Sequence, residues 1–326
     1  MKTYPVKFKP IHKERIWGGS ALAEKYKKPF PPGLKIGESW EISDRQDSMS
    51  IVENGEYEGM SLTELVDRFK DDFLGNIAAV KFPVLVKVID ARDVLSVQVH
   101  PDDAFAKKNE NGSSGKTEMW YVIETDPGAK ITAALRKKTS REEFRKALEG
   151  KKLPGLLNTF PVKPGDVIFI PSGRVHAIGA GIVLLEIQQN ADVTYRVYDW
   201  DRVGFDGKPR ELHVEKALKV IDFNDSKDPV VPVKEQVLGN NSKRPMVSCK
   251  YFSNDAYRIS DEMRLKTKGS FNIVSCVEGE FEVEAGNVVE RLSKGYSCVI
   301  PASASDYSLK NIGKDFSTAV VTIGKK

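Results

Sequence analysis

Hydrophobic and polar positions alternate in many short runs along this chain, and this pattern predicts β-strands. The predicted strands before the chain's last third lie at 49–53, 82–90, 94–100, 119–123, 166–170, 182–188 and 193–198. Clusters of Gly, Pro and Asn separate most of them, which is typical of a sandwich or barrel. Strand-like runs such as FNIVSCVEG and FSTAVVTI resume near the end. The pattern therefore predicts a mainly β protein.

Two segments have the period and start signals of helices instead. Ser61 to Glu64 (SLTE) forms a capping box that opens an amphipathic helix. Its apolar stripe is predicted to be core packing: Leu62, Leu65, Val66, Phe69 and Phe73. A second capping box, Thr139 to Glu142, opens a helical insertion near 136–160. Residues 222–246 are rich in Pro, Asn, Asp, Ser and Lys, and they are predicted to link two domains.

The two parts of the chain repeat one β unit. PGDVIFIPSGRVH carries Gly165 and His176 at the same spacing as Gly295 and Asp306 in KGYSCVIPASASD. An apolar strand, a glycine turn and a second strand precede each copy. The first copy is longer by about the length of the helical segment. We therefore predict two domains, 1–240 and 241–326, and Asp306 in place of a histidine predicts that the second has no metal site.

Composition and charge exclude several classes of protein. The chain has 326 residues, 40% of them hydrophobic and 29% charged, with a net charge of +4. Basic and acidic residues alternate throughout, which disfavours nucleic acid as a partner and suits a small anionic ligand. No run approaches about 20 apolar residues, so neither a signal peptide nor a membrane span is expected. Three cysteines without metal-type spacing predict buried thiols in the cytoplasm. A monomer or weak homo-oligomer is expected.

The segment from Gly165 to His176 also carries candidate chemistry. Its motif, G-x5-P-x-G-x2-H after a strand pair, resembles the second conserved motif of the cupin superfamily. Members of that superfamily are double-stranded β-helix (jelly-roll) barrels that hold a metal on inward-facing strands. The glycines and the proline would end one strand in a tight turn and deliver His176 at the start of the next.

Companion ligands are predicted from an earlier strand pair. In SVQVHP, strand alternation puts Gln98 and His100 on one face, and Glu118 follows on the next strand. Taken alone, a Gln and a His on a strand face are more often exposed to solvent than bound to a metal. The presence of Glu118 and His176 makes the metal site the favoured interpretation. One amide oxygen, two imidazoles and one carboxylate suit Zn²⁺ and would also accept Fe²⁺, Mn²⁺ or Co²⁺.

The Gln-x-His pair narrows the resemblance to one family. The chain is similar over nearly its full length to the type I mannose-6-phosphate isomerases in their short bacterial form. The matching stretches include RIWGG (15–19), GESWEIS (37–43), FPVLVKVIDARDVLSVQVHPDD (82–103), GKTEMWYVI (115–123), IPSGRVHAIGAGIVLLEIQQNADVTYRVYDWDR (170–202) and RELH (210–213). The resemblance implies two cupin-type jelly-roll domains with a few peripheral helices. It also implies a zinc-dependent aldose–ketose isomerase that interconverts mannose 6-phosphate and fructose 6-phosphate through an enediol-type intermediate.

The resemblance also implies roles for particular residues. One zinc ion would be held by Gln98, His100, Glu118 and His176. Arg196 is the residue that the family treats as catalytic, and Lys87, Lys116 and Glu186 would line the same cavity. The long helical insertion of the family's larger members is absent here.

Several roles stay open at this level. Arg196 suits the stabilisation of an anion, because a guanidinium stays protonated at any working pH. Glu186 or a pKa-shifted Lys116 is a candidate base. The candidates for the phosphate are Lys87, Lys116 and Arg202, and those for other substrate contacts are Ser39 and Glu41. A carboxylate inside the apolar run IVLLEIQ needs a partner, which is either Arg196 or a lysine.

Two other functions compete with the isomerase. A cupin oxidase or dioxygenase is disfavoured because Gln98 stands where such proteins carry a histidine. A sugar-sensing or structural protein without turnover is disfavoured because the first copy keeps every site residue.

Overall fold

β-Strands form most of the regular structure in the computed structural model, which describes residues 1–31 and 33–325. The strands of the first part are β1 (Val6–Lys7), β2 (Ile11–Gly19), β3 (Ile36–Ile42), β4 (Asp44–Arg45), β5 (Ser48–Met49), β6 (Val84–Ala91), β7 (Val97–Val99), β8 (Glu118–Thr125), β9 (Lys130–Leu135), β10 (Leu157–Pro161), β11 (Val167–Ile170), β12 (His176–Ile178), β13 (Ile182–Gln189) and β14 (Tyr195–Tyr198). Those of the second part are β15 (Gln236–Leu238), β16 (Asn241–Ser248), β17 (Phe252–Ile259), β18 (Glu262–Lys266), β19 (Asn272–Glu278), β20 (Glu280–Ala285), β21 (Val288–Ser293), β22 (Ser297–Ile300), β23 (Asp306–Asn311) and β24 (Ser317–Gly324). The mainly β fold class is confirmed.

Helices are short and peripheral. They are α1 (Ala21–Glu24), α2 (Leu62–Leu74), α3 (Asp103–Asn109), α4 (Arg141–Glu149) and α5 (Val214–Val220). Single 3₁₀ turns lie at Gly55–Tyr57, Leu153–Leu156 and Ala302–Ala304. Among the described residues, no helix is both long and apolar enough to cross a membrane.

The first part of the chain is a barrel made of two sheets. One sheet has six strands in the order β11-β8-β13-β6-β3-β2, and the other has five in the order β10-β9-β12-β7-β14. An apolar cluster that includes Trp120, Ile131 and Leu184 fills part of the space between the sheets. Helices α4 and α5 cover the outer face of the five-stranded sheet through residues such as Phe144 and Leu218. The outer face of the five-stranded sheet is therefore buried.

The second part forms another pair of sheets. A seven-stranded sheet in the order β1-β22-β19-β24-β17-β16-β15 faces a four-stranded sheet in the order β18-β23-β20-β21. The interior between them is apolar and includes Phe281, Leu292 and Leu309. The seven-stranded sheet also packs on the outer face of the six-stranded sheet, where Val86 and Phe271 belong to one core cluster. Because β1 joins the seven-stranded sheet, the two parts share strands, and the division at 240/241 stays a prediction.

The repeated β unit takes the same backbone shape in both parts. Gly165 and Gly295 each have φ of 88°, in the left-handed region that favours glycine. A short strand follows each glycine, and the strands after the next turns begin at His176 and Asp306. The predicted equivalence of these two positions is therefore confirmed.

Four predictions about elements need correction. The helix after Ser61 is confirmed with both hydrogen bonds of its capping box, but α4 is capped by Ser140 rather than Thr139. The helical insertion ends in strand β10, which pairs with β9. The predicted linker 222–246 contains β15 and most of β16, which pair with each other. Its polar composition arises because β15 is exposed at the edge of a sheet. The predicted strand 49–53 forms only isolated bridges beyond Met49.

Candidate active site

Three metal-ligating side chains meet inside the first barrel. Ligand atoms of His100, Glu118 and His176 lie within 4.8 Å of one another, and all three residues are buried. His100 follows β7 and His176 begins β12, which pairs with β7 so that His176 lies opposite Gln98. Glu118 begins β8 in the facing sheet. Closure of the barrel therefore brings two histidines from one sheet against a carboxylate from the other.

Backbone carbonyls orient both imidazole rings. Nδ1 of His100 lies 2.8 Å from the carbonyl oxygen of Val193, and Nδ1 of His176 lies 2.9 Å from that of Arg174. Each Nδ1–H therefore donates to a carbonyl, which makes Nε2 the acceptor nitrogen of each ring. Burial lowers the pKa of His100 well below its usual value and that of His176 to about 3. Both rings are neutral, which is the form that binds a metal.

The buried Glu118 carboxylate completes the donor set. Nε2 of His176 is 3.4 Å from Oε1 of Glu118, and Nε2 of His100 is 3.6 Å from Oε2. Neither oxygen accepts a hydrogen bond of good geometry from the described residues, although Nζ of Lys116 lies 2.8 Å from Oε2. Burial and the charge of Glu186 raise the pKa of Glu118. A buried carboxylate with open acceptor positions beside two neutral imidazoles fits a divalent metal ion.

Gln98 lies beside this cluster. Its Nε2 is 3.2 Å from Nε2 of His176. Turning the amide by half a rotation would present its oxygen to the same position, since the two amide atoms exchange places on a flip. The shared face of Gln98 and His100 is as predicted, while the ligand role of Gln98 stays a prediction.

A cavity of about 340 Å³ opens next to the cluster. Its lining includes the predicted residues Gln98, Lys87, Lys116, Glu186 and Arg196. Nζ of Lys87 lies 3.2 Å from Oε1 of Glu186, and the indole N–H of Trp120 donates to Oε2 at 2.9 Å. A lysine rather than Arg196 is thus the partner of this buried carboxylate. Although burial opposes ionisation, Lys116 and Lys87 hold the pKa of Glu186 below its usual value.

Four charged residues of the cavity lining were missed from the sequence: Arg15, Glu38, Asp192 and Arg210. Arg15 and Glu38 lie within the stretches RIWGG and GESWEIS, which carry the family resemblance. Glu38 shares a face of β3 with Trp40, and Lys87 lies over the Trp40 ring at 4.9 Å, but this is a contact of the tertiary structure and not a signal in the sequence.

The structure corrects three predicted substrate contacts. Ser39 and Glu41 point away from the cavity, where Ser39 donates to Glu41 at 2.6 Å and Lys28 lies 2.8 Å from the same carboxylate. Both residues are buried, and neither lines the cavity in the described structure. Within the described ranges, Arg202 does not line the cavity. Its guanidinium binds the carboxylates of Asp199 and Asp93 and the Val94 carbonyl.

A double-stranded β-barrel with a buried His–Glu–His cluster, whose side chains could hold a metal ion, defines a protein of the cupin class. The family model described as phosphomannose isomerase type I, catalytic domain, matches residues 6–135. A second, described as mannose-6-phosphate isomerase, cupin domain, matches residues 242–322. The chain belongs to the type I mannose-6-phosphate isomerase family, and it is an isomerase.

Individual relatives match along almost the whole chain. Mannose-6-phosphate isomerase ManA of Bacillus subtilis is 39% identical over 317 residues, which cover 95% of this chain and 97% of that protein. The mannose-6-phosphate isomerase of Streptococcus mutans is 38% identical over 291 residues, with 89% and 90% covered. The crystal structure of mannose 6-phosphate isomerase from Bacillus subtilis superposes with a TM-score of 0.90 at 34% identity, covering 98% of this chain and 99% of that one.

Proposed function

We propose that this protein interconverts mannose 6-phosphate and fructose 6-phosphate through an enediol-type intermediate, and that it uses zinc. The observation that carries the proposal is the buried cluster of His100, Glu118 and His176 beside a charged cavity, whose lining includes their neighbours Gln98 and Lys116. Family membership supports the substrate, because the relatives named above are mannose-6-phosphate isomerases.

The donor set supports zinc held by Gln98, His100, Glu118 and His176. A bound divalent ion would supply Lewis-acid polarisation of sugar oxygens next to the reacting carbons. The backbone carbonyls that fix the two imidazoles would keep the ligand atoms in place as substrate enters and leaves.

Proton transfer between carbons 1 and 2 needs a base beside the cluster. We assign this role to Glu186, whose carboxylate lines the cavity and is held by Lys87 and by the Trp120 indole. Lys116 already lies 3.2 Å from Nε2 of His100, and it is placed to donate a proton to a sugar oxygen. Arg196 would stabilise the negative charge of the enediolate.

The proposal extends to the organisation of the chain. The catalytic unit would be 1–240, and 241–326 would be a cupin-like unit without metal. The cysteines Cys249, Cys276 and Cys298 are free, which supports a reducing, cytoplasmic setting. A monomer or weak homo-oligomer that binds a sugar phosphate completes the proposal.

A coupled assay of both sugar phosphates tests the function. Purified protein should convert each into the other, lose this activity on treatment with a chelator, and regain it when Zn²⁺ is added back. Absence of interconversion in protein shown to carry metal would refute the proposed reaction. Full activity in metal-free protein would refute the role of zinc.

A further inference from the structure

Two arginines in the cavity lining are held in place by carboxylates. Arg15 donates from Nε and Nη2 to the two oxygens of Glu38, both at 3.1 Å. Arg210 donates from Nε to Oδ2 of Asp199 at 2.7 Å and from Nη2 to Oδ1 at 2.5 Å. Both pairs are bidentate, so each guanidinium plane has a fixed orientation before any ligand arrives.

These arginines lie at the open end of the cavity. The side chains of Lys87, Lys116 and Glu186 at the inner end are each 4% exposed. Those of Arg15 and Arg210 are 33% and 21% exposed. The cavity therefore runs from the buried cluster to a wetter mouth that carries arginines.

Each arginine also keeps N–H groups for a ligand. Arg15 uses Nε, one N–H of Nη2 and one of Nη1, which donates to the Glu14 carbonyl. Arg210 uses only Nε and Nη2 in the hydrogen bonds of the described residues. A guanidinium has five N–H groups, so both retain donors on their terminal nitrogens. Arg202, in contrast, directs Nε, Nη1 and Nη2 to protein acceptors.

We propose that Arg15 and Arg210 together bind the phosphate of the sugar phosphate at the cavity mouth. This inference rests on the proposed function and names the residues that hold the non-reacting end of its substrate. The reacting carbons 1 and 2 must lie at the buried cluster, so the phosphate on carbon 6 is directed outwards. Planar guanidinium donors match phosphate oxygens in a bidentate manner, and a dianion is the ligand that two fixed cations favour.

Glu38 and Asp199 are positioning residues in this arrangement. Glu38 is itself fixed by the Trp40 indole, whose N–H donates to Oε2 at 2.7 Å. Asp199 is shared, because Arg202 donates to its Oδ1 at 2.8 Å. Neutral isosteres at these positions, Glu38→Gln and Asp199→Asn, should loosen the arginines without removing their charge.

The test compares Arg15→Met and Arg210→Met with Arg92→Met as the matched control. Arg92 also pairs with a carboxylate, Asp126 at 3.1 Å, but it does not line the cavity in the described structure. For each of the first two variants, KM for fructose 6-phosphate should rise about tenfold or more, the effect of losing a charge-assisted hydrogen bond. The kcat should change less than about threefold, because the reacting end is untouched. The inhibition constant for inorganic phosphate should rise with KM, and zinc content should stay the same.

Several results would overturn the phosphate site. Unchanged inhibition by phosphate in both arginine variants would do so, as would an equal rise in KM for Arg92→Met. The variants Arg15→Lys and Arg210→Lys keep the charge and provide a second route if a methionine variant does not fold. They should recover only part of the loss, since lysine lacks the planar donor pair.

Direct titration with inorganic phosphate separates this inference from the proposed function. Binding can be followed by tryptophan fluorescence, because Trp17 lines the cavity. If wild-type protein converts neither sugar phosphate but binds phosphate in an Arg15- and Arg210-dependent manner, the reaction is wrong and the anion site stands. If it converts both and the variants bind phosphate like wild type, the reaction stands and the anion site is wrong.

Discussion

At the scale of single residues, Arg196 is a cation that few protein acceptors contact. It is half-buried and donates from Nη1 to the Glu211 carbonyl at 2.8 Å, while its buried Nε has no hydrogen-bond partner in the described structure. Burial and the charge of Arg210 lower the pKa of Arg196, yet a guanidinium remains protonated. A cation with a free buried donor at a cavity wall is suited to an anion formed during the reaction.

Replacement of Arg196 by Ala should therefore affect chemistry more than binding. We expect kcat to fall roughly a hundredfold or more, with a smaller change in KM and with metal content retained. Steady-state kinetics together with metal analysis measures all three. A variant with near wild-type kcat at saturating substrate would move the catalytic role to Lys116 or Glu186.

His176→Ala should lose most of the bound metal. The protein is expected to carry about one divalent ion per chain, because the clustered donors form one site. Elemental analysis of dialysed protein gives the ratio, and His12→Ala is the control, since His12 packs against Phe30 at 5.0 Å and is outside the cluster. Metal retained in full by a His100→Ala, His176→Ala double variant would contradict the assignment.

At the scale of elements, the same turn presents different residues in the two β units. A glycine with φ of 88° precedes β11 and also β22, and the strands after the next turns begin at His176 and at Asp306. In the first unit the turn places the His176 imidazole beside His100 and Glu118. In the second, Asp306 pairs with Arg264 at 2.7 Å and the interior between the sheets is apolar. Both units contain the turn, but only in the first does it place a side chain in a cluster of possible metal ligands.

Asp306→Ala should leave turnover nearly intact. Its carboxylate is 40% exposed, so the lost ion pair is expected to change the free energy of unfolding by about 1 kcal/mol or less. Activity and denaturant unfolding should be measured on the same preparation. A loss of more than tenfold in activity with the fold preserved would show that we have assigned the active site to the wrong half of the chain.

At the scale of the whole molecule, ion pairs connect the two β units. Glu124 on β8 lies 2.7 Å from Nζ of Lys25 and 2.6 Å from Nζ of Lys294, and Tyr26 donates to it at 3.0 Å. Lys294 lies between β21 and β22, so this carboxylate links the first barrel to the second unit. Although burial would raise it, hydrogen bonds from both lysines lower the pKa of Glu124 to about 2.

Glu124→Gln should destabilise the protein in a pH-dependent manner. The pKa of Glu124 is lowered in the folded state from an ordinary value of 4.5, so its contribution is present above pH 4.5 and is lost as the pH falls towards about 2. We expect a difference of roughly 1 kcal/mol in the free energy of unfolding at pH 7, which shrinks by pH 3. Urea unfolding at both pH values measures it, with Glu149→Gln at the exposed end of α4 as control. An equal difference at both pH values would refute the ionic origin.

The sequence by itself determined features that depend on near neighbours along the chain. The capping box of Ser61, the shared face of Gln98 and His100, and the glycine turn before His176 all follow from local periods and turn chemistry. The repeat was visible for the same reason, because each copy keeps its turn residues at the same spacing. Resemblance to known proteins then supplied the family and the expected roles of the site residues.

Only the tertiary structure decided which faces and which distant residues meet. Both faces of β3 are buried, so alternation could not show that Glu38 faces the cavity while Ser39 and Glu41 face Lys28. Lys87 is the partner of Glu186 because β6 pairs with β13 in a register that puts these two residues opposite each other. Such contacts depend on sheet pairing between strands that are far apart in the chain. The pattern of one strand shows which residues share a face, but it does not show which distant strand is its partner.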